Sequence, residues 1–337
     1  MGWQVEGHEW AERLLRGHLT SGEVRHAYLL TGPVGVGRRT LALRFTQALN
    51  CLQPPAVGEF CGQCRICRQT AAMQHSDLAV VQADREGGIL KVEQIRDLQR
   101  SLSLLPYEAR YRVSLLLRFQ EANPNAQNAL LKTLEEAPQR VILLLTADSA
   151  ENLLPTIASR CEVLRLRPMA LDRLQSQLEA RGIDRFDARL LAHLSGGRLG
   201  YALRLKDDPG RMDQRRSVLE DLVQLLSEPR RARFTYAEQA SRDKETLRET
   251  YGTWLSFWRD LMLRSAGATV VAGAQGLGLP LVNIDLQAEI DQLAAQVDLA
   301  TARACIADLE QGIARLDANL NPRLLTEVIL LGWPKLA

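Results

Sequence analysis

The letters GPVGVGRRT, which begin at Gly32, have the glycine spacing of a phosphate-binding loop, with further glycines at Gly35 and Gly37. Such a loop cradles phosphate with backbone N–H groups, reaches the β- and γ-phosphates with a Lys, and holds Mg²⁺ through a Ser or Thr hydroxyl. In this sequence Arg38 occupies the Lys position and Arg39 the Ser or Thr position. The pattern therefore predicts the geometry of a phosphate-binding loop without ATP as a cofactor.

Four cysteines follow this loop in a C-x9-C-x2-C-x2-C arrangement, formed by Cys51, Cys61, Cys64 and Cys67. Four thiolates can complete the tetrahedral shell of Zn²⁺, and a closed shell leaves no position for a reacting water. Exposed free thiols at this density would oxidise, and a redox C-x2-C pair would not need Cys51. We therefore expect one structural Zn²⁺, with a role in local stability or in contacting a partner.

A third position that matters for nucleotide chemistry lies at the end of the predicted strand Arg112–Leu117. An active ATPase of this fold ends that strand in Asp-Glu, which holds Mg²⁺ and polarises the attacking water. Here the matching residues are Leu117 and Arg118. The acidic pair is therefore missing independently of the changes in the glycine loop.

Short apolar runs alternate with helical patterns through the first half of the chain. This alternation predicts an α/β fold with a parallel sheet covered on both faces. The predicted strands are His26–Thr31, Asp77–Val81, Arg112–Leu117, Val141–Thr146 and Val163–Leu166.

The rest of the sequence is predicted to be helical. Residues 169–208 carry leucines at helical spacing, a Pro-Gly turn follows at 209–210, and apolar stripes continue to residue 332, interrupted by a small-residue loop at 267–278. We expect three domains: an α/β domain at 1–167 with a zinc module at about 51–67, a small helical domain at 168–208, and an all-α domain at 209–337.

Composition limits the classes of function. The 337 residues are 46% hydrophobic and carry a formal net charge of +2, so composition predicts a globular protein without a strong overall attraction to nucleic acid. The acidic N-terminal stretch does not look like a secretory signal, and apolar runs are too short to span a bilayer. We therefore expect a cytoplasmic protein with no membrane partner.

Several segments carry a resemblance to the AAA+ proteins of the bacterial DNA polymerase III clamp loader. They are HAYLLTGPVGVG (26–37), CGQCRIC (61–67), VEQIRDL (92–98), NALLKTLEEAP (128–138), TIASRC (156–161) and NLNPRLLTE (319–327). The resemblance implies an AAA+ domain, a three-helix lid at 168–208 and a helical collar at 209–337 that assembles a pentameric ring. It also implies partners: the tau/gamma and delta subunits, and through the assembly the sliding clamp and primer-template DNA.

The departures from the family pattern favour its delta prime branch over its tau/gamma branch. Catalytic tau/gamma relatives keep Lys-Thr in the loop and Asp-Glu at the strand end, and their lid presents an Arg where this chain has Gly200, with Arg198 two positions away. A length of 337 residues also leaves no room for the polymerase-binding extension of tau. We expect a subunit that does not hydrolyse ATP; an ATP-hydrolysing motor of the tau/gamma kind is the alternative.

Two arginines acquire candidate roles from the resemblance. Arg160, within Ser-Arg-Cys, matches the family's arginine finger, which acts on the nucleotide of a neighbouring subunit; a lone Arg there is otherwise favoured by the helix dipole. Arg96 lies in the segment that lines DNA in the family, although it also fits an exposed helical charge pattern with Glu93. A free-standing zinc-dependent DNA-binding module would need a basic, aromatic surface, which 5% aromatic residues do not favour.

Overall fold

The computed structural model describes residues 3–85, 87–268, 279–318 and 320–336. Two compact units are present: Met1–Ala170 with Gly197–Tyr201, and Leu171–Gly196 with Ala202–Ala337. Most of the loop predicted at 267–278 lies outside the described residues, as does Asn319, the first residue of the quoted segment 319–327.

The first unit contains a five-stranded parallel sheet, which confirms the predicted α/β fold. The strands are β1 (Ala27–Thr31), β2 (Leu78–Val81), β3 (Arg112–Leu116), β4 (Val141–Ala147) and β5 (Glu162–Arg165), and their order is β2-β3-β4-β1-β5. In the central register, Leu29 lies opposite Leu145 on one side and Val163 on the other. The loop between β1 and the next helix therefore emerges within the sheet, between neighbouring strands on both sides.

Helices cover both faces of this sheet. They are α1 (Glu9–Ser21), α2 (Arg38–Asn50), α3 (Arg65–Ala71), α4 (Val92–Leu102), α5 (Pro124–Glu135) and α6 (Pro155–Ala158). Because side chains alternate along a strand, Tyr28 and Leu30 pack in one apolar cluster with Phe45 of α2, while Leu29 packs in another with Leu130 of α5. The all-apolar strands are thus explained by burial on two sides.

The remaining helices are α7 (Leu171–Glu179), α8 (Arg185–Ser195), α9 (Leu199–Asp207), α10 (Pro209–Ser227), α11 (Arg230–Ala240), α12 (Lys244–Ser265), α13 (Gln287–Ala294), α14 (Leu299–Asp317) and α15 (Pro322–Gly332). An aromatic cluster built on Tyr251, Trp254 and Trp258 of α12 forms the core of the second unit. The predicted helices are confirmed, but the turn predicted at 209–210 is wrong, because Pro209 and Gly210 begin α10. The domain boundaries at 167 and 208 and the lid and collar assignments stay predictions. Among the described helices, none combines the length and apolarity needed to cross a bilayer.

Candidate functional site

The glycine loop joins β1 to α2 in the conformation that its sequence predicts. Gly32, Gly35 and Gly37 have φ values of 142°, 86° and 114°, a region that favours glycine, and Gly37 precedes the first residue of α2. A Cβ on Gly32 would overlap the backbone oxygen of Leu166. The loop therefore has the strand–loop–helix setting of a phosphate cradle.

The segment Gly197–Tyr201 packs directly on this loop. The backbone N–H of Gly200 donates to the Gly35 oxygen at 2.9 Å, and a Cβ on Gly200 would come within 2.8 Å of that oxygen. Arg198 donates to the Val34 oxygen at 3.4 Å, and its guanidinium lies 4.5 Å from the Tyr201 ring centre. Position 200 thus contacts the loop through its backbone, which explains why a side chain does not fit there.

The arginines in the Lys position and in the Ser or Thr position of the loop have different environments. The Arg38 side chain is only 8% exposed, and its Nη1 lies 2.9 Å from the Asp148 Oδ1 in an ion pair. The Gly32 N–H donates to the backbone oxygens of Ala147 and Asp148, at the end of β4. Arg39, in contrast, is exposed on the first turn of α2. The residue in the Lys position is therefore turned toward a carboxylate of the chain itself.

The end of β3 holds no acidic pair. Leu117 is 5% exposed and packs in the apolar cluster with Phe45. Arg118 has a left-handed backbone, with φ 48° and ψ 53°, and its N–H donates to the Thr146 Oγ1 at 2.9 Å. Its Nε donates to Glu121 Oε1 at 2.8 Å. The cation at position 118 is thus paired with a carboxylate three residues further along the chain.

The four cysteines of the predicted zinc module converge. Their sulfur atoms all lie within 4.8 Å of one another, and the Sγ atoms of Cys51 and Cys61 are 3.6 Å apart. Zn–S bonds of about 2.3 Å in a tetrahedron put the sulfurs about 3.8 Å apart, so the cluster has the dimensions and the donor set of a four-thiolate zinc site. The cysteines are Cys51, Cys61, Cys64 and Cys67.

Backbone N–H groups point at these sulfurs. The N–H of Cys61 lies 3.2 Å from the Cys51 Sγ, that of Cys64 lies 3.3 Å from the Cys61 Sγ, and that of Cys67 lies 3.4 Å from the Cys64 Sγ. Hydrogen bonds from Cys64 and Gln63 lower the pKa of Cys61 to about 6, whereas burial raises the pKa of Cys51 and of Cys67. A bound cation overcomes that effect of burial, because it stabilises the thiolates directly.

A buried carboxylate anchors the turn that contacts the zinc module. Asp77 accepts hydrogen bonds from the backbone N–H groups of Tyr107, Glu108 and Ala109 at 2.7–2.9 Å. The Glu108 carboxylate lies 2.6 Å from the guanidinium of Arg65 on α3. Although burial opposes it, this triple hydrogen bonding lowers the pKa of Asp77. The cysteine module is thereby tied to the sheet through residues that precede β2 and β3.

Arg160 lies just beyond α6, two residues before β5. Its Nη2 is 2.6 Å from the Glu135 Oε1 at the end of α5, and its Nη1 donates to the Thr156 oxygen at 3.0 Å. The side chain is 34% exposed. A guanidinium held this way is oriented by one carboxylate and one carbonyl while part of it faces solvent.

Arg96 is exposed on α4, whose buried face carries Ile95 and Leu98. Asp97 is exposed on the same helix and forms an ion pair with Arg100. The helix therefore presents charges of both signs to solvent, and the structure brings Arg96 into none of the sites above.

Sequence reasoning missed Asp148 and Asp77. Asp148 directly follows β4, and the sheet order places that strand beside β1, so an acidic residue after β4 was an available signal for a contact with the loop. Asp77 gave no such signal, because its partners lie about thirty residues away in an irregular turn.

The chain is similar to known proteins over most of its length. A family model described as "DNA polymerase III, delta subunit" matches residues 7–170. DNA polymerase III subunit delta' of Pseudomonas aeruginosa is 32% identical to this chain over 314 residues, which are 92% of each chain. DNA polymerase III subunit delta' of Bacillus subtilis is 27% identical over 327 residues, which are 95% of this chain and 94% of the relative. DNA polymerase III subunit tau of Escherichia coli is 33% identical over 209 residues, which are 60% of this chain and 32% of tau. Similarity of this extent to delta' covers both units, and the chain belongs to the family of DNA polymerase III delta' subunits.

Proposed function

We propose that this chain is a subunit of the bacterial clamp loader that does not hydrolyse ATP and that contributes Arg160 to the ATP site of a neighbouring subunit. Its relatives are named as subunits of DNA polymerase III, both delta' and tau. The assembly would be a pentameric ring with tau/gamma and delta subunits, loading the sliding clamp onto primed DNA. Residues 168–208 would form the lid and residues 209–337 the collar that assembles the ring.

The observation that carries this proposal is the contrast between the loop and the Ser-Arg-Cys segment. Arg38, Arg39 and the Leu117–Arg118 pair replace the groups that would hold phosphate and Mg²⁺. Arg160 nevertheless keeps its place between α6 and β5, partly exposed. An arginine finger acts on a neighbour's γ-phosphate, so it is useful on a subunit whose own loop binds no nucleotide.

The contact between Arg160 and Glu135 is compatible with this role. A partly exposed ion pair contributes about 0–1 kcal/mol, so exchanging Glu135 for a neighbour's phosphate costs little. An arginine finger accelerates phosphoryl transfer by about 10³–10⁵, equivalent to about 4–7 kcal/mol of transition-state stabilisation. In the ring, the guanidinium would leave one anion for a more highly charged one.

The test is Arg160→Ala in a ring reconstituted with tau/gamma and delta subunits. We expect the ring to assemble, hydrolysis to fall at the one site that faces this chain, and clamp loading to fall more than total ATPase. Arg165→Ala is the matched control, because that nearby side chain is 67% exposed and lies 3.8 Å from its carboxylate partner.

Two results would contradict the proposal. If an assembled Arg160→Ala ring keeps wild-type rates of ATP hydrolysis and clamp loading, Arg160 has only a structural role at the end of a helix. Mg²⁺-dependent ATP hydrolysis by the purified chain alone would instead identify a motor of the tau/gamma kind.

We also propose that the cysteine cluster holds a structural Zn²⁺. The support is the convergence of four sulfurs and the donation of backbone N–H groups to them. With four thiolates the shell is closed, so the ion supplies stability to the module and no chemistry. Arg96 is proposed to meet DNA phosphate inside the ring, on the basis of its exposure on α4.

A further inference from the structure

Asp148 is the anion that faces the residue in the Lys position of the glycine loop. Its Oδ1 lies 2.9 Å from the Nη1 of Arg38, whose side chain is 8% exposed, while the Asp148 side chain is 42% exposed. The backbone oxygen of Asp148 accepts the N–H of Gly32, the first residue of the loop, at 3.0 Å. The side chain of this residue thus contacts the guanidinium in the Lys position, and its backbone oxygen holds the first residue of the loop.

A phosphate and the Asp148 carboxylate compete for one guanidinium. Arginine binds carboxylate and phosphate with the same planar N–H donors, so a phosphate that binds at Nη1 must displace the carboxylate. The carboxylate is part of the chain and therefore acts at a high effective concentration. Once displaced, it would remain close to the phosphate and repel it.

We propose that Asp148 is the residue that excludes phosphate from this loop, acting as an internal anion on Arg38. The inference rests on the proposed function, since it names what keeps nucleotide away from the chain. Removal of the carboxylate should take a competing anion away from the buried guanidinium beside the glycine cradle, and so favour the binding of inorganic polyphosphates. Such binding should not require Mg²⁺, because Arg39 and the Leu117–Arg118 pair stand where the metal ligands would be.

The experiment measures binding of inorganic pyrophosphate to the full chain by calorimetry, in buffer without Mg²⁺ and without chelator. For Asp148→Asn we expect affinity to rise by about tenfold or more over the wild type, because a charged competitor is replaced by a neutral one. Asp148→Ser is a second variant of the same kind. The double variant Arg38→Met with Asp148→Asn should lose the gain.

Asp84→Asn is the charge-matched control. Asp84 is exposed beyond β2, three strand positions from β1, so the substitution changes net charge equally without touching the loop. It should bind pyrophosphate as the wild type does.

The inference is overturned if both Asp148 variants melt like the wild type and bind pyrophosphate no more tightly. It is also overturned if Asp84→Asn gains as much affinity, or if the double variant keeps the gain, since the effect would then be general charge. None of these outcomes affects the proposed function, which fails instead if the unaltered chain hydrolyses ATP.

Discussion

At the scale of single residues, Asp77 shows how a buried charge is kept by hydrogen bonds. Three backbone N–H groups of residues 107–109 converge on the carboxylate of a residue that is 1% exposed. When the carboxylate is lost, these three N–H groups lose the acceptor that holds the turn in this conformation. The turn before β3 therefore depends on the ionised form of one side chain.

We predict that Asp77→Asn lowers the free energy of unfolding at pH 7 by about 1–3 kcal/mol, because the amide can accept with only one of its two atoms. The pKa of Asp77 is lowered in the fold, so its stabilising contribution is present above the ordinary pKa of about 4 and is lost as pH falls through the folded value. The difference between wild type and variant should therefore shrink below about pH 4.

Denaturant unfolding at a series of pH values measures this difference, with Asp84→Asn as an exposed control. The prediction is contradicted if the difference in free energy of unfolding between Asp77→Asn and the wild type stays constant down to about pH 3. That pH lies below the ordinary pKa of an Asp, so a constant difference would mean that the turn does not need the ionised carboxylate.

At the scale of elements, the zinc module is a short helix and two turns arranged around four sulfurs. Cys64 has two roles in it, since its sulfur belongs to the cluster and also accepts the N–H of Cys67 as the N-cap of α3. Serine is among the preferred residues at a helix N-cap. A Cys-to-Ser change at this position therefore removes a thiolate while keeping the cap.

We predict that the wild-type chain purified without chelators carries one Zn²⁺, and that Cys64→Ser carries much less. Hydrogen exchange should accelerate in residues 51–71 while the central strands β1 and β4 stay protected, because the module is local. Zinc affinity should also fall as pH falls, since protons compete for the thiolates.

Elemental analysis together with hydrogen exchange gives both readouts. Cys161→Ser is the control, because Cys161 lies outside the cluster. One zinc per chain in Cys64→Ser, or well under one in the wild type, would contradict the assignment.

The elements that local sequence determines were predicted well. The cysteine spacing is a local pattern and located the cluster, and the apolar runs located all five described strands to within about two residues. The start of α5 is also set locally, because Asn123 caps the helix and Pro124 begins it.

Contacts between distant segments could not be predicted in the same way. The buried Arg233 donates to the backbone oxygens of Leu225, Leu330, Trp333 and Pro334. Those oxygens lie at or near the ends of other helices, and carbonyl groups carry no sequence signal for a partner. Asp77 is of the same kind, because tertiary structure supplies its partners.

At the scale of the whole molecule, the proposed contact with DNA depends on the assembled ring. The net charge of +2 gives the isolated chain little attraction for nucleic acid, so one exposed Arg can matter only where an assembly holds DNA against it. Arg96 is therefore to be tested in the complete complex.

We predict that Arg96→Ala reduces the salt dependence of DNA-stimulated ATPase of the ring, by about 1 in the logarithmic slope, without altering sequence preference. Arg100→Ala, on the same helix, should have a smaller effect because Asp97 already offsets its charge. Steady-state ATPase measured across a range of salt concentrations checks this. If the wild type and Arg96→Ala show the same slope of DNA-stimulated ATPase against salt, Arg96 does not contact DNA.

The strand order also has a consequence for synthesis of the chain. β1 is buried along its whole length and pairs with β4 and β5, so Leu29 finds its neighbours only at Leu145 and Val163. During translation both edges of this apolar strand stay unpaired until more than about a hundred further residues have been made. Non-local strand pairing of this kind also forms slowly. The nascent chain therefore offers an exposed apolar segment to chaperones, and a product truncated before Val141 would aggregate through it.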